Sequence, residues 1–347
     1  MKALVKTKKA PGHMQIAEVS EPKPAANEVK LEIQYCGICG TDVKIYRDKH
    51  AYYRAPQIPG HEYSSVVVEL GDDVKNISVG DRVVAASSPI RRDSLYGRGR
   101  NPWGEGPGRG FETEWGFTQF GGFARYTVCD AQRVLKLPEG VDLISAALTE
   151  PVSVCLRGVM DKAHVECTDV AVVSGPGTIG LLAAQIVKAQ GAFVILLGVS
   201  SDEHRLDLAK KLGVDLVFNV DETDPLPEIL SLTKGAGADK VFECAGYHSS
   251  VSKCIEVARR GGHYVQLGTS MAIMEIDFTQ IAYKELTVVG TFGTSRTGWE
   301  RSLMLMEKGD IQTLPLVSHK CPLSDWEEGM AFAEGKEGIK VLLYPDP

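Results

Sequence analysis

The feature that most constrains the fold is a glycine motif at residues 175–180. A nearly uninterrupted apolar run over residues 168–174 precedes it, and such a run is typical of a strand buried on both faces of a sheet. An apolar helical segment follows the motif. Gly175 permits a tight turn, Gly177 lets a pyrophosphate approach the backbone, and Gly180 lets helix and strand pack closely. The order of strand, glycine motif and helix therefore predicts a dinucleotide-binding unit, with the phosphates at the positive end of the helix.

Buried strands and helices continue to alternate after this motif. Helical patterns separate the strand-like segments, which lie at residues 193–197, 216–220, 240–243 and 263–267. Such alternation implies right-handed crossovers and a parallel sheet. We therefore predict a doubly wound Rossmann sheet in this part of the chain.

The end of the second predicted strand leaves the choice between NAD and NADP open. An acidic residue about 20 positions after the motif normally accepts the ribose 2′-hydroxyl of NAD. That position falls near Gly198, and the first carboxylate after it is Asp202. Ser200 and Arg205 could instead contact a 2′-phosphate. The predicted cofactor-binding residues are Gly175, Gly177, Thr178, Ile179, Gly180, Ser200 and Arg205.

A second motif lies near the amino terminus. Cys39 is followed, some twenty residues later, by the adjacent pair His61 and Glu62. A thiolate, an imidazole and a carboxylate are the ligand types that zinc takes in an open site. Each residue alone has an ordinary structural explanation. Their combination, within G-I-C-G-T-D at residues 37–42 and G-H-E at residues 60–62, is specific.

These motifs resemble those of the zinc-dependent medium-chain alcohol and polyol dehydrogenases, and the resemblance runs nearly end to end. It implies an α/β protein with a GroES-like, β-rich catalytic domain and a Rossmann domain. By this resemblance the catalytic domain is discontinuous, at residues 1–148 and 284–347, and the Rossmann domain occupies residues 149–283. The short predicted strands before residue 137 independently suggest a small β-barrel-like unit.

The resemblance also implies roles for individual residues. Cys39, His61 and Glu62 would bind one catalytic zinc ion. Glu150, in T-E-P-V-S-V, matches a second glutamate of the polyol branch, which acts either as a direct ligand or through a water. Thr41 matches the hydroxyl that passes the substrate proton outward. The histidine that completes this relay in many relatives is Lys44 here, so the relay is altered.

The resemblance implies hydride transfer between NAD or NADP and a polyol or other secondary alcohol. Some sorbitol-type enzymes carry an Arg-Tyr pair after the G-x-F of a late strand. Here Gly290-Thr291-Phe292 is followed by Gly293-Thr294, which leaves sugar alcohols, polyol phosphates, inositols and amino-alcohols open as substrates. Two rival interpretations are a zinc-free NADPH-dependent reductase and a non-catalytic NAD(P)H-binding redox sensor.

The segment at residues 87–122 departs from the family pattern. It is rich in glycine and arginine and contains no cysteine, whereas many relatives place four cysteines there for a structural zinc. We therefore expect one catalytic zinc ion and no structural zinc. The segment predicts a long loop, held by aromatic packing or by a partner subunit. Its arginines either bind an anionic group or are solvated.

Charge and composition exclude several classes of partner. The net charge of −7 argues against a general nucleic-acid surface. We find no signal peptide and no apolar run of the roughly 20 residues that span a membrane. Eight cysteines in a chain without an export signal favour the reducing cytoplasm. The expected partners are a small-molecule substrate and further copies of the chain, in a homodimer or homotetramer.

Overall fold

The computed structural model describes residues 1–50, 53–86, 121–270 and 272–346. The segment at residues 87–122, for which the sequence predicts a long loop, lies outside the described residues except for its last two glycines.

The described residues form fifteen strands. They are β1 (Lys2–Lys6), β2 (Met14–Glu18), β3 (Glu28–Gly37), β4 (Glu62–Leu70), β5 (Arg82–Ala85), β6 (Tyr126–Asp130), β7 (Val134–Lys136), β8 (Val170–Ser174), β9 (Phe193–Gly198), β10 (Leu216–Asn219), β11 (Ala238–Glu243), β12 (Ala258–Gln266), β13 (Thr287–Gly290), β14 (Val317–Pro322) and β15 (Lys340–Tyr344).

Ten α-helices accompany these strands in the described ranges. They are α1 (Gly40–Tyr46), α2 (Leu143–Ala146), α3 (Thr149–Leu156), α4 (Thr178–Ala189), α5 (Glu203–Lys211), α6 (Leu226–Leu232), α7 (His248–Val257), α8 (Phe278–Tyr283), α9 (Arg296–Glu307) and α10 (Trp326–Glu334). None of these helices has the length and apolar character needed to cross a lipid bilayer.

The described chain divides into two compact units. Unit 1 comprises residues 1–150, 294–307 and 316–347, and unit 2 comprises residues 151–293 and 308–315. The sequence prediction placed the end of the Rossmann domain at residue 283. Unit 2 continues to Gly293 because β13 pairs in parallel with β12 and so extends the sheet of that unit.

The strand order of unit 1 brings distant parts of the sequence to one end of β3. Its seven-stranded sheet has the order β14-β15-β3-β4-β5-β7, and β6 also pairs with β3. Strand β4 runs antiparallel to β3 with Gly37 opposite Glu62, and β15 runs antiparallel to β3 with Leu342 opposite Gly37. The segment that follows β3 therefore begins beside the starts of both β4 and β15, and this register builds the site described below.

Unit 2 contains a six-stranded parallel sheet in the order β10-β9-β8-β11-β12-β13. Numbered from β8, this is the order 3-2-1-4-5-6 of the Rossmann fold. It confirms the doubly wound parallel sheet predicted from the alternating segments. The chain reverses its direction of winding between β8 and β11, and ligands of such sheets bind outside the carboxyl ends of the strands at that point.

One helical prediction was wrong in detail. The sequence suggests a helix over residues 144–160 that is interrupted at Pro151. The structure instead ends α2 at Ala146 and begins α3 at Thr149, so Pro151 lies in the first turn of α3. A proline is tolerated there because the first turn leaves N–H groups without intrahelical partners. The helix then continues into a π-helical segment at Arg157–Lys162.

The fold of unit 1 also depends on a fully buried lysine on β1. The Lys6 Nζ atom donates to the carbonyl oxygens of Ala10 at 2.6 Å, Gly12 at 2.7 Å and Tyr46 at 3.0 Å. These bonds tie the turn after β1 to the end of α1. The ammonium group bonds to three partly buried carbonyls, and the carbonyl of Tyr46 also accepts from the backbone N–H of Gly12 at 2.9 Å. Removing the ammonium group therefore takes the side-chain donor away from the carbonyls of Ala10 and Gly12.

We therefore expect Lys6→Met to destabilise the protein by about 3 kcal/mol, because the carbonyls of Ala10 and Gly12, both partly buried, lose their side-chain donor. The measurement is chemical denaturation of wild type and variant. Lys2→Met is the matched control, since Lys2 lies on the same strand and is exposed. Equal stability of the Lys6 and Lys2 variants would show that the hydrogen bonds of Lys6 do not stabilise the fold.

Candidate functional site

Three side chains that the sequence analysis selected as zinc ligands lie together in unit 1. The ligand atoms of Cys39, His61 and Glu62 all lie within 4.8 Å of one another. His61 and Glu62 are buried, and Cys39 is partly exposed. The register of β3 with β4 produces this cluster, because it places Glu62 opposite Gly37, just before Cys39.

A buried carboxylate connects the backbone at Cys39 with the backbone just before His61. Asp42, in the first turn of α1, accepts from the backbone N–H of Cys39 at 2.9 Å and from that of Gly60 at 3.2 Å. Its Oδ1 also lies 3.9 Å from the Nδ1 of His61. Burial raises the pKa of Asp42, and the nearby His61 opposes this rise. Sequence reasoning quoted Asp42 as part of the motif but gave it no role.

The carboxylate of Glu62 has a buried cationic partner. The Nζ atom of Lys340, on β15, donates to Glu62 Oε2 at 2.6 Å and to the carbonyl of Ile38 at 3.2 Å. Both side chains are almost fully buried. Gly37 is required beside this pair, since a Cβ there would lie 2.3 Å from Glu62 Oε2. Sequence reasoning missed Lys340, and its only signal was a lysine at the start of an apolar closing strand.

The site concentrates negative charge. Burial lowers the pKa of His61, yet that pKa is raised well above its usual value because Asp42, Cys39 and Glu150 lie near. The pKa of Lys340 is likewise raised, against the effect of burial, by Glu62, Cys39 and Glu150. The acidic groups that raise the pKa values of His61 and Lys340 would also attract a divalent metal cation. The thiolate, imidazole and carboxylate donors fit zinc.

Glu150 lies in the same electrostatic environment but outside the three-residue cluster. It is mostly buried, and its charge acts on both His61 and Lys340. Its carboxylate is not among the ligand atoms that lie within 4.8 Å of one another in the described chain. The geometry therefore leaves open both roles that the sequence suggests, direct ligand and partner through a water.

Helix α1, which follows Cys39 directly, carries Thr41, the residue predicted for the proton relay, and Lys44, which replaces the relay histidine. Thr41 is partly buried in its first turn. Burial lowers the pKa of Lys44, and the nearby Cys39 opposes this change. Burial, together with the charges of Lys44 and His61, lowers the pKa of His50 to about 4. His50 is therefore neutral at neutral pH and lies in the electrostatic environment of the cluster.

In unit 2 the glycine motif has the predicted context. It connects β8 to α4, and Gly177 caps the helix. Gly175 has a φ of +101°, and a Cβ on Gly180 would lie 1.8 Å from the carbonyl oxygen of Gly175. A Cβ on Gly177 would meet nothing within 4 Å. Two glycines are thus required by packing, while Gly177 faces open space that fits a pyrophosphate group.

The structure surrounds Ser200 and Arg205 with acidic groups. The backbone N–H of Ser200 donates to Asp221 Oδ2 at 2.9 Å. Arg205 Nη1 lies 3.1 Å from Asp202 Oδ1, and both of these side chains are mostly buried. Asp202, which the sequence offered as a partner for the ribose of NAD, therefore has Arg205 as a charge partner. Ser200 and Arg205 are each held by a carboxylate in this structure.

Family models match both the part of the chain that contains the Cys39, His61 and Glu62 cluster and the part that begins within the glycine motif. A family model described as the alcohol dehydrogenase GroES-like domain matches residues 25–139, and one described as zinc-binding dehydrogenase matches residues 178–308. The first of these matches confirms the GroES-like domain expected from the sequence.

Similar proteins match over nearly the whole chain. The chain is 37% identical to a sorbitol dehydrogenase of Halalkalibacterium halodurans, with 99% of each chain covered. It is 32% identical to a D-arabitol-phosphate dehydrogenase of Enterococcus avium, over 98% of this chain and 97% of that protein. The crystal structure of a 2R,3R-butanediol dehydrogenase from Bacillus subtilis superimposes with a TM-score of 0.86 at 30% identity, covering 99% of each chain.

Proposed function

The chain belongs to the zinc-binding, medium-chain alcohol and polyol dehydrogenases, and we propose that Cys39, His61 and Glu62 hold its single catalytic zinc ion. The protein is an NAD(P)-dependent oxidoreductase of polyols or related secondary alcohols. The observation that carries the zinc assignment is the convergence of a cysteine sulfur, an imidazole and a carboxylate within 4.8 Å of one another, with His61 and Glu62 buried and Cys39 partly exposed.

Zinc held by Cys39, His61 and Glu62 would supply Lewis-acid polarisation of the substrate hydroxyl or carbonyl oxygen, and the nicotinamide of NAD(P) would supply the hydride acceptor or donor. The protein residues hold and orient these groups. Asp42 fixes the backbone at Cys39 and Gly60, and Lys340 orients the carboxylate of Glu62.

Thr41 and Glu150 are the residues that we assign to proton transfer and to the support of the site. Thr41 lies two residues after Cys39, at the start of α1, and its hydroxyl both donates and accepts. It carries the substrate proton away from the reacting oxygen. Glu150 contributes negative charge at the cluster, as a direct ligand or through a water. Lys44 occupies the sequence position of the histidine that completes this relay in many relatives.

The substrate class is a polyol or polyol phosphate. Relatives named for sorbitol and for arabitol phosphate match the chain over nearly its full length. The absence of an Arg-Tyr pair after Phe292 separates this chain from the sorbitol-type pattern, so sorbitol itself is one candidate among several.

Nicotinamide reduction by the purified protein tests this function. The panel contains sugar alcohols, polyol phosphates, inositols and threonine, each with NAD and with NADP, before and after treatment with a chelator. We expect turnover with one substrate class, lost on chelation and restored by zinc. Turnover that survives complete removal of metal would instead favour the zinc-free reductase. Tight NAD(P)H binding with neither zinc nor turnover would favour the redox sensor.

The zinc content is one ion per chain. The segment at residues 87–122 contains no cysteine, and cysteine is the usual ligand of structural zinc sites. Metal analysis of the purified protein gives the ratio directly. All eight cysteines are free thiols, which is consistent with a reducing cytoplasm.

The choice between NAD and NADP depends on the surroundings of Ser200 and Arg205. A 2′-phosphate would compete with Asp202 for Arg205 and would approach Asp221, which accepts from Ser200. A ribose 2′-hydroxyl carries no such charge. Titration of the protein with NADH and with NADPH, followed by nucleotide fluorescence, decides between them.

Gly177→Ala separates cofactor binding from folding. Gly177 has extended backbone angles, φ −73° and ψ −176°, that alanine adopts, and its Cβ would meet no protein atom within 4 Å. We expect an unchanged thermal midpoint but NAD(P)H affinity about tenfold or more weaker, because the methyl group occupies the space of the pyrophosphate. Gly180→Ala is the contrasting control. Its Cβ would lie 1.8 Å from a backbone oxygen, so it lowers stability as well. Unchanged affinity in Gly177→Ala would contradict this use of the motif.

The assembly that we propose is a homodimer formed through β13. This strand is the last in the sheet of unit 2, and Val288 on it is exposed, as is Phe292 just beyond it. An edge strand can pair with the same strand of a second copy about a two-fold axis. A homotetramer requires a further contact between two such dimers. Light scattering at micromolar concentration measures the mass, and a monomer would contradict the proposal.

A further inference from the structure

Glu243 is a fully buried carboxylate at the carboxyl end of β11. Its Oε1 accepts from the backbone N–H groups of Ala245 at 2.9 Å and Gly246 at 2.8 Å, and from the hydroxyl of Ser250 at 2.7 Å. Its Oε2 accepts from Gln266 Nε2 at 2.5 Å. Four donors thus converge on one side chain. Glu243 belongs to neither of the two motifs described in the sequence analysis.

The carboxylate dictates the orientation of Gln266, on the neighbouring strand β12. Gln266 turns its NH2 group toward Glu243, whose Oε2 accepts from it. The same Nε2 atom also donates to the carbonyl of Gly268 at 2.7 Å, and Gln266 Oε1 accepts from the hydroxyl of Tyr264 at 2.5 Å. Glu243 therefore fixes the turn after β12 as well as the turn after β11.

The turn after β11 packs against the glycine motif, and the turn after β12 packs against the turn after β11. A Cβ on Gly175 would lie 2.8 Å from both the Cβ and the N atom of Ala245, and a Cβ on Gly268 would lie 2.5 Å from the N atom of Gly246. At the carboxyl edge of the sheet, the turn that follows β11 therefore contacts both the turn that follows β8 and the turn that follows β12. A shift of Ala245 moves the surface on which the turn at Gly175 rests.

We propose that Glu243 is a positioning residue for the nicotinamide cofactor. It holds the turns at residues 244–246 and 267–268, and through Ala245 it holds the turn at Gly175 that receives the pyrophosphate. It acts through the backbone of these turns rather than by touching the cofactor. The proposal rests on the proposed function in one respect, that the ligand of unit 2 is NAD(P)H.

Glu243→Gln is the direct test. The amide is nearly the same size as the carboxylate, but its NH2 group must face either Gln266 or the N–H groups of Ala245 and Gly246. We expect the Kd for NADH or NADPH, measured by fluorescence titration of folded protein, to rise about tenfold or more. Glu256→Gln is the matched control, because Glu256 is an exposed carboxylate on α7 of the same unit, paired with Lys253 at 2.6 Å, and its Kd stays at the wild-type value.

A second control separates positioning from loss of stability. Val241 is buried on the same strand and takes no part in the hydrogen-bond network, so Val241→Ala lowers the thermal midpoint through packing alone. Positioning predicts that Glu243→Gln weakens binding far more than Val241→Ala does at a comparable loss of thermal stability. An equal loss of affinity in the two variants would overturn the proposal.

A milder variant covers the case in which Glu243→Gln does not fold. Ser250→Ala removes only one of the four donors and is expected to raise the Kd about threefold. If Glu243→Gln folds and binds the nucleotide with the wild-type Kd, the positioning role is overturned. If Glu243→Gln cannot be obtained, a wild-type Kd in Ser250→Ala overturns it. A wild-type protein that binds neither nucleotide overturns the proposed function instead.

Discussion

Cys39→Ala is expected to lose bound zinc and to reduce turnover by a factor of about a thousand or more. Metal polarisation of the reacting oxygen contributes several kcal/mol to transition-state stabilisation, and each 1.4 kcal/mol corresponds to about a factor of ten in rate. Cys39 is one of the three proposed ligands, whose ligand atoms lie within 4.8 Å of one another, so its removal leaves an imidazole and a carboxylate that would bind zinc weakly. Metal content and steady-state turnover are measured on the same preparation.

Cys36→Ala is the matched control for this experiment. Cys36 lies three residues earlier, on β3, and its thiol is fully buried outside the metal-binding cluster. Burial, with the charges of Asp42 and Glu62, raises its pKa well above the usual value, so the thiol remains protonated. We expect Cys36→Ala to keep its zinc and its turnover per folded molecule. Full activity in Cys39→Ala would refute the zinc mechanism.

Local patterns account for the parts of the protein that were predicted well. The apolar run before Gly175 and the glycines themselves carry the geometry of the turn, so the strand, motif and helix could be placed from sequence. The ligand types at Cys39, His61 and Glu62 predict a metal site without any knowledge of the fold, and the structure brings their ligand atoms within 4.8 Å of one another. In both cases the informative residues are close in sequence or distinctive in chemistry.

The residues that were missed depend on strand register. Lys340 meets Glu62 across 278 positions of sequence, and only the pairing of β15 with β3 brings them together. No local sequence motif singles out Glu243. Its hydrogen-bond network exists because the parallel strands β11 and β12 end side by side. The pairing of β13 with β12, by which unit 2 extends beyond residue 283, likewise has no local signal in the sequence.

Lys340→Met is expected to have the second large effect, on stability and on its dependence on metal. The side chains of Lys340 and Glu62 are 5% and 2% exposed, so the substitution leaves a carboxylate buried without its cation. Removing one partner of a buried ion pair typically costs about 3–5 kcal/mol. For a protein of this size, that cost corresponds to a fall of roughly ten degrees in the thermal midpoint.

Bound zinc should offset part of this loss, because a divalent cation beside Glu62 supplies the positive charge that Lys340 no longer provides. We therefore expect chelation to lower the thermal midpoint of Lys340→Met by more than it lowers that of wild type. Lys340→Arg, which retains the charge, should lie between the two. Lys320→Met is the control, since Lys320 is an exposed lysine on the adjacent strand β14. If chelation lowered the thermal midpoints of wild type and Lys340→Met by the same amount, Glu62 would not couple the lysine to the metal. The assignment of Glu62 as a ligand would then have to be withdrawn.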